Sequence, residues 1–470
     1  MRELPRSVLL CAAVVICGAV MTILDSTIVN VAIERLAGAF DSKLSTIQWV
    51  STAYLLAIAA VIPLAGWAVD RFGTRPVFMT AVAAFATGSL LCGLAWSAGS
   101  LIAFRVLQGL GGGMVMPVGM TILAHAAGPE RMGRVMALVG VPMLLAPALG
   151  PVLGGALLDG VTWRAIFFIN LPVAALALVL AARVLPRGAT RAGARLDVVG
   201  LALLSPGLTA LVAGLVSPAG PIALAAGVVL IAAFVAHALR ASDPLIDVRI
   251  FRDRVVAAST AVTLLFGAAF FGSLLLLALY YQLARDLSAT QTGAVLAAQG
   301  IGAMLTMPVA GKLTDRMGAG PVVRVGVGLV LVGTLPFAFV DDDVPGWLLV
   351  CGLFLRGAGM GATLMPAMAA AYQVLPEPAV ARAAGALEIV QRAGATLGIA
   401  LLAVILQHGL ATRGFHGDLD DAPAALATPA AAHTFVWAVI LTALALVPAL
   451  LLPRRREQQS DALEAAHDLA

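Results

Sequence analysis

Apolar residues in this chain fall into fourteen long stretches divided by short polar segments. They lie near residues 7–33, 47–69, 76–97, 100–126, 133–158, 165–185, 197–217, 220–239, 255–282, 290–314, 321–340, 346–373, 381–408 and 433–452. An α-helix needs roughly 20 apolar residues to cross the hydrocarbon core of a bilayer. The pattern therefore predicts an all-α integral membrane protein with 14 transmembrane helices. An even number puts both ends of the chain on one side. The first stretch, from Val8 past Val20, has no convincing cleavage site and runs on beyond signal-peptide length, so it reads as a retained first helix.

Charge supplies the orientation. Of the 29 basic residues, 21 fall in the termini and the loops on their side, from Arg2 and Arg6 through Arg71, Arg75, Arg131, Arg134, Arg316 and Arg382 to Arg454–Arg456. The opposite loops hold Arg35, Lys43, Arg164, Arg285 and Arg413, and Arg105, Arg356 and Arg392 fall within spans. Basic residues collect on the cytoplasmic side of membrane proteins, so both termini are expected in the cytoplasm. Composition agrees: 61% of residues are hydrophobic and 11% charged, with a mean hydropathy of +1.00, against about 25% charged in soluble proteins. The net charge of +4 is small, and it matters through its sidedness rather than through nucleic-acid binding. Arg outnumbers Lys, which occurs only at Lys43 and Lys312, a hint of a GC-rich bacterial genome and hence of a bacterial cytoplasmic membrane.

One short loop occurs twice. Gly66-Trp67-Ala68-Val69-Asp70-Arg71-Phe72-Gly73 and Gly311-Lys312-Leu313-Thr314-Asp315-Arg316-Met317-Gly318 share G-x-x-x-D-R-x-G at an offset of 245 residues. Setting aside the middle pair of spans leaves six before and six after, a 6+2+6 plan. The expected divisions are an N-terminal six-helix half (1–190), a two-helix insert with flanking cytoplasmic loops (191–250), a C-terminal six-helix half (251–453) and a cytoplasmic tail (454–470). Such internal duplication is the usual ground plan of a secondary transporter.

Several polar residues stand out against this background. Asp25 lies late in the first span, where an ionised carboxylate is costly and marks a proton relay or pathway, unless it sits close enough to the outer interface to stay solvated. Arg105, in the fourth span, stays protonated and suits the holding of a nearby acid, or else snorkels to the interface. Glu388 and Arg392 are four apart and can pair. Glu388 is a second candidate for proton coupling or for contact with substrate. Pro147, Gly150, Pro151 and Gly154 give the fifth span a kink and a smooth face, suited to a moving seal or to plain packing. In the repeated loop Gly73 permits a tight turn. Asp70 and Asp315 are placed to accept from a helix N-terminus and to pair with Arg, a latch involving Arg71, Arg75 and Arg316. Asn30, Gln299 and Gln391, with Glu388, are the polar groups expected to orient a substrate in a cavity rich in Ala, Leu, Met and Phe.

Other chemistry finds no support. The four cysteines and six histidines show neither metal spacing nor a disulfide framework, and no Walker A or G-x-S-x-G sequence occurs. Gly357-Ala358-Gly359-Met360-Gly361 imitates a nucleotide loop but begins a membrane helix with no strand before it. The chain is not expected to be an enzyme or to use a cofactor, and a proton gradient would supply the energy.

These motifs together resemble the fourteen-span drug:proton antiporter branch of the major facilitator superfamily over about residues 8–452. The resemblance is carried by Leu24-Asp25-Ser26-Thr27-Ile28-Val29-Asn30, the loop after the second span, Arg105, the Gly-Pro run of the fifth span and Trp163-Arg164-Ala165-Ile166-Phe167-Phe168-Ile169-Asn170-Leu171-Pro172. Thr74 stands where that family often has a basic residue, which shifts weight to Arg75, and Glu34 replaces a frequent proline. The resemblance implies a major facilitator fold and efflux of hydrophobic or cationic small molecules in exchange for protons, by alternating access, the protein acting as a monomer in the lipid bilayer. Proton-coupled uptake, or a receptor or scaffold on the same fold, are the competing readings.

Overall fold

The computed structural model describes residues 4–454 apart from 189, 192, 217–219, 341–343, 376, 416 and 418–422. Asp341–Asp343, whose three successive acids read from sequence as a solvated outer loop, lie outside the described residues, as does the tail beyond Arg454. Secondary structure among the described residues is helical throughout. The helices are α1 (Arg6–Ala39), α2 (Leu44–Val61), α3 (Leu64–Phe72), α4 (Thr74–Gly93), α5 (Ala98–Ala127), α6 (Met132–Gly160), α7 (Ala165–Phe168), α8 (Asn170–Val184), α9 (Val198–Val216), α10 (Gly220–Ala238), α11 (Arg254–Leu279), α12 (Ala289–Met317), α13 (Ala319–Ala338), α14 (Gly346–Val374), α15 (Glu377–Ala411) and α16 (Ala424–Leu450). Eleven spans among the described residues are long and apolar enough to cross a membrane, and Val198–Gly214 and Ile222–Ala238 are shorter apolar helices.

Three of the apolar stretches are less regular than their hydropathy suggests. The second is divided into α2 and α3 at Pro63, which has no N–H to continue the ladder. The sixth breaks at Ile169 into α7 and α8. The ninth ends in a π-helical turn over Tyr280–Ala284, which re-aims its last residues. At the C-terminal end α16 starts at Ala424 rather than near 433, because the Ala-rich segment before the apolar run is itself a strong helix former.

The chain forms two compact units. The first comprises Met1–Gly128, Pro142–Ile250 and Leu375–Ile389. In it α5 is the central helix, packed by α1, α2 and α4, while α8 covers α1 and α4, and α9 of the α9–α10 pair lies on α2. The second comprises Pro129–Val141, Phe251–Val374 and Val390–Ala470. There α14 is central, packed by α11, α12 and α13, with α16 against α11 and α13. The same order of packing recurs, as duplication requires. Two helices are shared by the division: α6 begins in the second unit and continues in the first, and α15 does the reverse.

Close backbone approach is what the glycines contribute. A Cβ built at Gly357 would stand 1.7 Å from the Gln299 carbonyl oxygen. The Gly357–Gly361 run therefore serves the packing of α14 on its neighbours, α12 at Gly357, in the manner of small residues at membrane helix interfaces.

Candidate functional site

The first unit buries an ion pair. α5 is started by Ser97, whose hydroxyl accepts from Ser100 N while the Ser100 hydroxyl accepts from Ser97 N. Two turns on, Arg105 reaches Asp25 of α1 through Nη1 at 2.5 Å, and both residues are 0% exposed. Asp25 is therefore enclosed rather than solvated. Its other oxygen accepts from Gln108 Nε2 and from Asn170 Nδ2, each at 2.8 Å. Asn170 is the first residue after the α7–α8 break, and its amide also donates to Ser89 Oγ at 3.0 Å, which in turn donates to the Phe167 carbonyl. The guanidinium has partners beyond the acid: Val50 O at 3.1 Å, Gln108 Oε1 at 2.8 Å and the Tyr54 ring, whose centroid is 3.9 Å away. Removing two charges from water costs several kcal/mol per ion, repaid only by close pairing and satisfied lone pairs. Both conditions hold here. Arg105 is also held by neutral partners, the Val50 carbonyl, the Gln108 amide oxygen and the Tyr54 ring, so its place does not depend on Asp25 alone.

The second unit repeats the position without the acid. Arg356 of α14, 1% exposed, donates through Nε to Gln299 Oε1 at 3.2 Å, through Nη1 to Thr334 Oγ1 at 2.5 Å and through Nη2 to Ser273 Oγ. Its guanidinium lies 5.4 Å from the Phe270 ring centroid. Gln299, expected from sequence to orient substrate, is thus engaged with Arg356.

The two copies of the repeated loop fold alike. Gly73 has φ 86° and ψ 160°, and Gly318 has φ 87° and ψ 166°, a left-handed conformation that side chains resist. In the first copy Asp70 Oδ2 accepts from Arg382 Nη2 at 2.8 Å and Nε at 3.0 Å. In the second, Asp315 accepts from Arg134 Nε at 2.6 Å and from the backbone N–H of Gly133, in the first turn of α6, at 2.9 Å. The leading glycine of each copy makes room for that neighbour: a Cβ at Gly66 would meet Arg382 at 2.8 Å, and one at Gly311 would meet the Gly133 carbonyl at 2.6 Å. Arg71 and Arg316, each adjacent to its Asp, are exposed, and Arg75 donates to the Ala182 carbonyl at 2.6 Å.

The remaining candidates are placed more simply. A Cβ at Gly150 would lie 2.0 Å from Thr27 Oγ1, so α6 packs tightly on α1 two residues from Asp25, while Gly154 has ordinary clearance to Ile28. Pro151 lies in α6, and its side chain is outside the described residues. Asn30 is exposed and accepts from Ser51 Oγ at 3.1 Å; Glu388 and Gln391 are half-buried on α15. The hydrogen bonds of Asp25 go to Arg105, Gln108 and Asn170, not to Glu388. Asn170, Arg134, Arg382, Arg356, Thr334 and Ser273 carry no site role in the sequence reading, although Asn170 sits in a motif that carries the family resemblance.

The profile of the Major Facilitator Superfamily matches residues 15–399 and 261–467. Among curated proteins, the Multidrug resistance protein B homolog of Mycobacterium tuberculosis is 45% identical over 84% of this chain and 76% of its own length. The Tetracenomycin C resistance and export protein of Streptomyces glaucescens is 33% identical over 86% of this chain and 77% of its own. Among solved structures, a human organic anion transporter superposes with a TM-score of 0.65 at 18% identity, over 96% of this chain and 100% of that one, a likeness of fold.

Proposed function

This chain belongs to the Major Facilitator Superfamily and is a multi-pass membrane transporter, and from that premise we propose that it exports hydrophobic or amphipathic drugs in exchange for protons. The observation that carries the reading is Asp25, a carboxylate enclosed at membrane depth and held by Arg105, Gln108 and Asn170. Ionisable groups in such places mark functional sites, proton relays among them. The direction and the cargo are supported by relatives named for multidrug resistance and for tetracenomycin C resistance and export.

In this reading the chain crosses the bilayer fourteen times with both termini in the cytoplasm of a bacterium. The eleven long spans, the two short apolar helices and the 29-residue α6 support that number. The domains run 1–190, 191–250 and 251–453, with a tail from 454, and the protein works as a monomer. With Asp25 charged, substrate enters from the cytosol or inner leaflet and is oriented by Asn30, Gln391 and Glu388. After the switch outward, protonation of Asp25 favours release and return. The repeated loops, with Asp70 and Asp315 on Arg382 and Arg134, latch the cytoplasmic side, and the Gly150 contact with α1 carries movement of α6 to the neighbourhood of Asp25. One charge moved through 100 mV is worth about 2.3 kcal/mol, so ~150 mV supplies ~3.5 kcal/mol per proton, enough for a few-hundredfold gradient of a neutral compound.

Energised inverted membrane vesicles test this. A lipophilic cationic dye should accumulate inside them, and a protonophore or Asp25→Asn should abolish the accumulation. Dye uptake that survives both treatments overturns proton coupling at Asp25, and movement in the opposite direction makes the protein an importer.

A further inference from the structure

The α9–α10 pair ends in a segment that reaches the first copy of the repeated loop. Arg382, which holds Asp70 through Nε and Nη2, donates its remaining terminal nitrogen, Nη1, to Asp243 Oδ1 at 2.8 Å and to the Pro244 carbonyl at 3.0 Å. Asp243 Oδ1 also accepts from Arg191 Nη1 at 3.2 Å, and the Arg191 backbone N–H donates to the Asp70 carbonyl at 2.7 Å. The result is an electrically balanced ring of two carboxylates and two guanidiniums, closed through the backbones of Arg191 and Asp70, in which Asp243 comes from the loop after α10 and Arg191 from the loop before α9. Burial pushes the Asp243 carboxyl up, but hydrogen bonds and charge from Arg382 and Arg191 outweigh this and hold it below the usual carboxylate range.

The insert is fixed at its other contacts. Ser205 Oγ of α9 donates to the Ala60 carbonyl of α2 at 2.6 Å. Asp197 joins three elements: it accepts from Gly200 N in the first turn of α9 at 2.8 Å, lies 2.9 Å from His237 Nε2 near the end of α10, and accepts from Leu245 N in the return segment at 3.1 Å. Arg382 is in the opening turns of α15, a continuous helix whose later turns belong to the second unit. Whatever restrains Arg382 therefore restrains a helix that continues into the other unit. A cavity of about 880 Å³ lined by Asp70, Arg191, Asp243, Ala379 and Arg382 lies beside the ring.

We propose that the two-helix insert is a working part of the cytoplasmic latch: Asp243 is a second counter-charge for Arg382, so the insert and the repeated loop hold the start of α15 jointly. Asp243 is a positioning residue, and the inference rests on the alternating-access reading above.

The test uses the full chain in phosphatidylethanolamine–phosphatidylglycerol liposomes, with the four native cysteines replaced and Ala379→Cys as the reporter. The labelling rate with a membrane-impermeant maleimide reports exposure of the α15 start. Asp243→Asn is expected to raise that rate about fivefold and Asp70→Asn by at least as much, with unfolding temperatures near that of the parent. Asp243→Glu should restore the parental rate, a rescue that a merely structural role does not predict. In the parent, 0.5 M salt should raise the rate, and it should add little to Asp243→Asn. If Asp243→Asn labels like the parent while Asp70→Asn labels faster, the insert has no part in the latch and the proposal fails with the transporter reading intact. If neither variant nor substrate changes the rate, the alternating-access reading fails and takes the proposal with it.

Discussion

Arg105 and Arg356 stand in corresponding places of two copies of one design, 251 residues apart. Around them Ser89 corresponds to Thr334 and Tyr54 to Gln299, each at 245 residues, and Asp25 corresponds to Ser273 at 248. The copies keep the guanidinium and differ in what faces it. In the first unit a carboxylate neutralises Arg105. In the second, no carboxylate among the described residues lies within ion-pair distance of Arg356, and its charge is spread over an amide oxygen, two hydroxyls and an aromatic face. A site with an acid can bind and release a proton, whereas a fixed cation among neutral oxygens cannot. On the proposed reading, proton coupling therefore falls to the first unit, at Asp25.

The comparison is broken most forcefully through the arginines. Arg105→Met should cost about 3–5 kcal/mol, because it strands the Asp25 charge in a fully buried site. Arg356→Met leaves no stranded charge. The hydroxyls it abandons already donate within their own helices, Ser273 to Phe270 O and Thr334 to Val330 O, so the cost should stay below about 2 kcal/mol. Thermal unfolding of the two purified variants in detergent decides: equal losses would show that the acid makes no difference to the arginine.

Next in size is Asp25→Asn. The amide preserves shape and most of the hydrogen bonds, so folding and dye binding should persist while proton-driven transport falls by about 100-fold or more, the scale of ~3 kcal/mol. The counterpart Ser273→Ala should leave transport within about threefold of the parent. A flux assay with an imposed pH gradient separates these outcomes, and a large loss in Ser273→Ala would move proton chemistry into the second unit.

A third experiment rebuilds the missing acid. Ser273→Asp introduces a carboxylate where Asp25 sits in the other copy. Alone it should be tolerated, and in an Arg356→Met background it should be strongly destabilising. The coupling in a double-mutant cycle is expected near 2 kcal/mol, within the range for contacting charged residues. Zero coupling would mean that the two positions do not correspond.

What the sequence made legible, and what it hid, follows from the range of the interactions. Hydropathy placed the helices because crossing lipid imposes about 20 apolar residues wherever it happens. Asp25 and Arg105 stood out for the same reason, as charges where charge is expensive. The partners were hidden. Asn170 meets Asp25 across 145 residues, and no periodicity links an amide after a helix break to a carboxylate in α1. In the repeated loops, Arg71 and Arg316 are the sequence neighbours of the aspartates. Adjacent residues on a helix point to different sides, and the aspartates instead meet Arg382 and Arg134, 312 and 181 residues away. The Pro63 break was readable from proline chemistry, yet the apolar run around it masked the division into α2 and α3.

The smallest expected effect concerns the other asymmetry between the copies, the insert. Burial pushes the Asp197 carboxyl up, but the backbone N–H groups of Gly200 and Leu245 and the His237 ring bring it below the ordinary carboxylate value. A depressed carboxyl contributes stability that is fully present above its unfolded value of about 3.9 and is lost as pH falls through the lower, folded value. The hold of the Asp197 carboxylate on α9 and the return segment should therefore weaken below about pH 4. Asp197→Ala removes a helix cap as well as the contact with His237 and should cost about 1 kcal/mol near pH 7. Hydrogen exchange of the Gly200 and Leu245 amides at pH 7, and the unfolding temperature between pH 5 and pH 3, give the two readouts. Because both amides donate to Asp197, they should lose protection together in the variant, while the amides of α14 in the second unit, which has no such insert, should be unchanged.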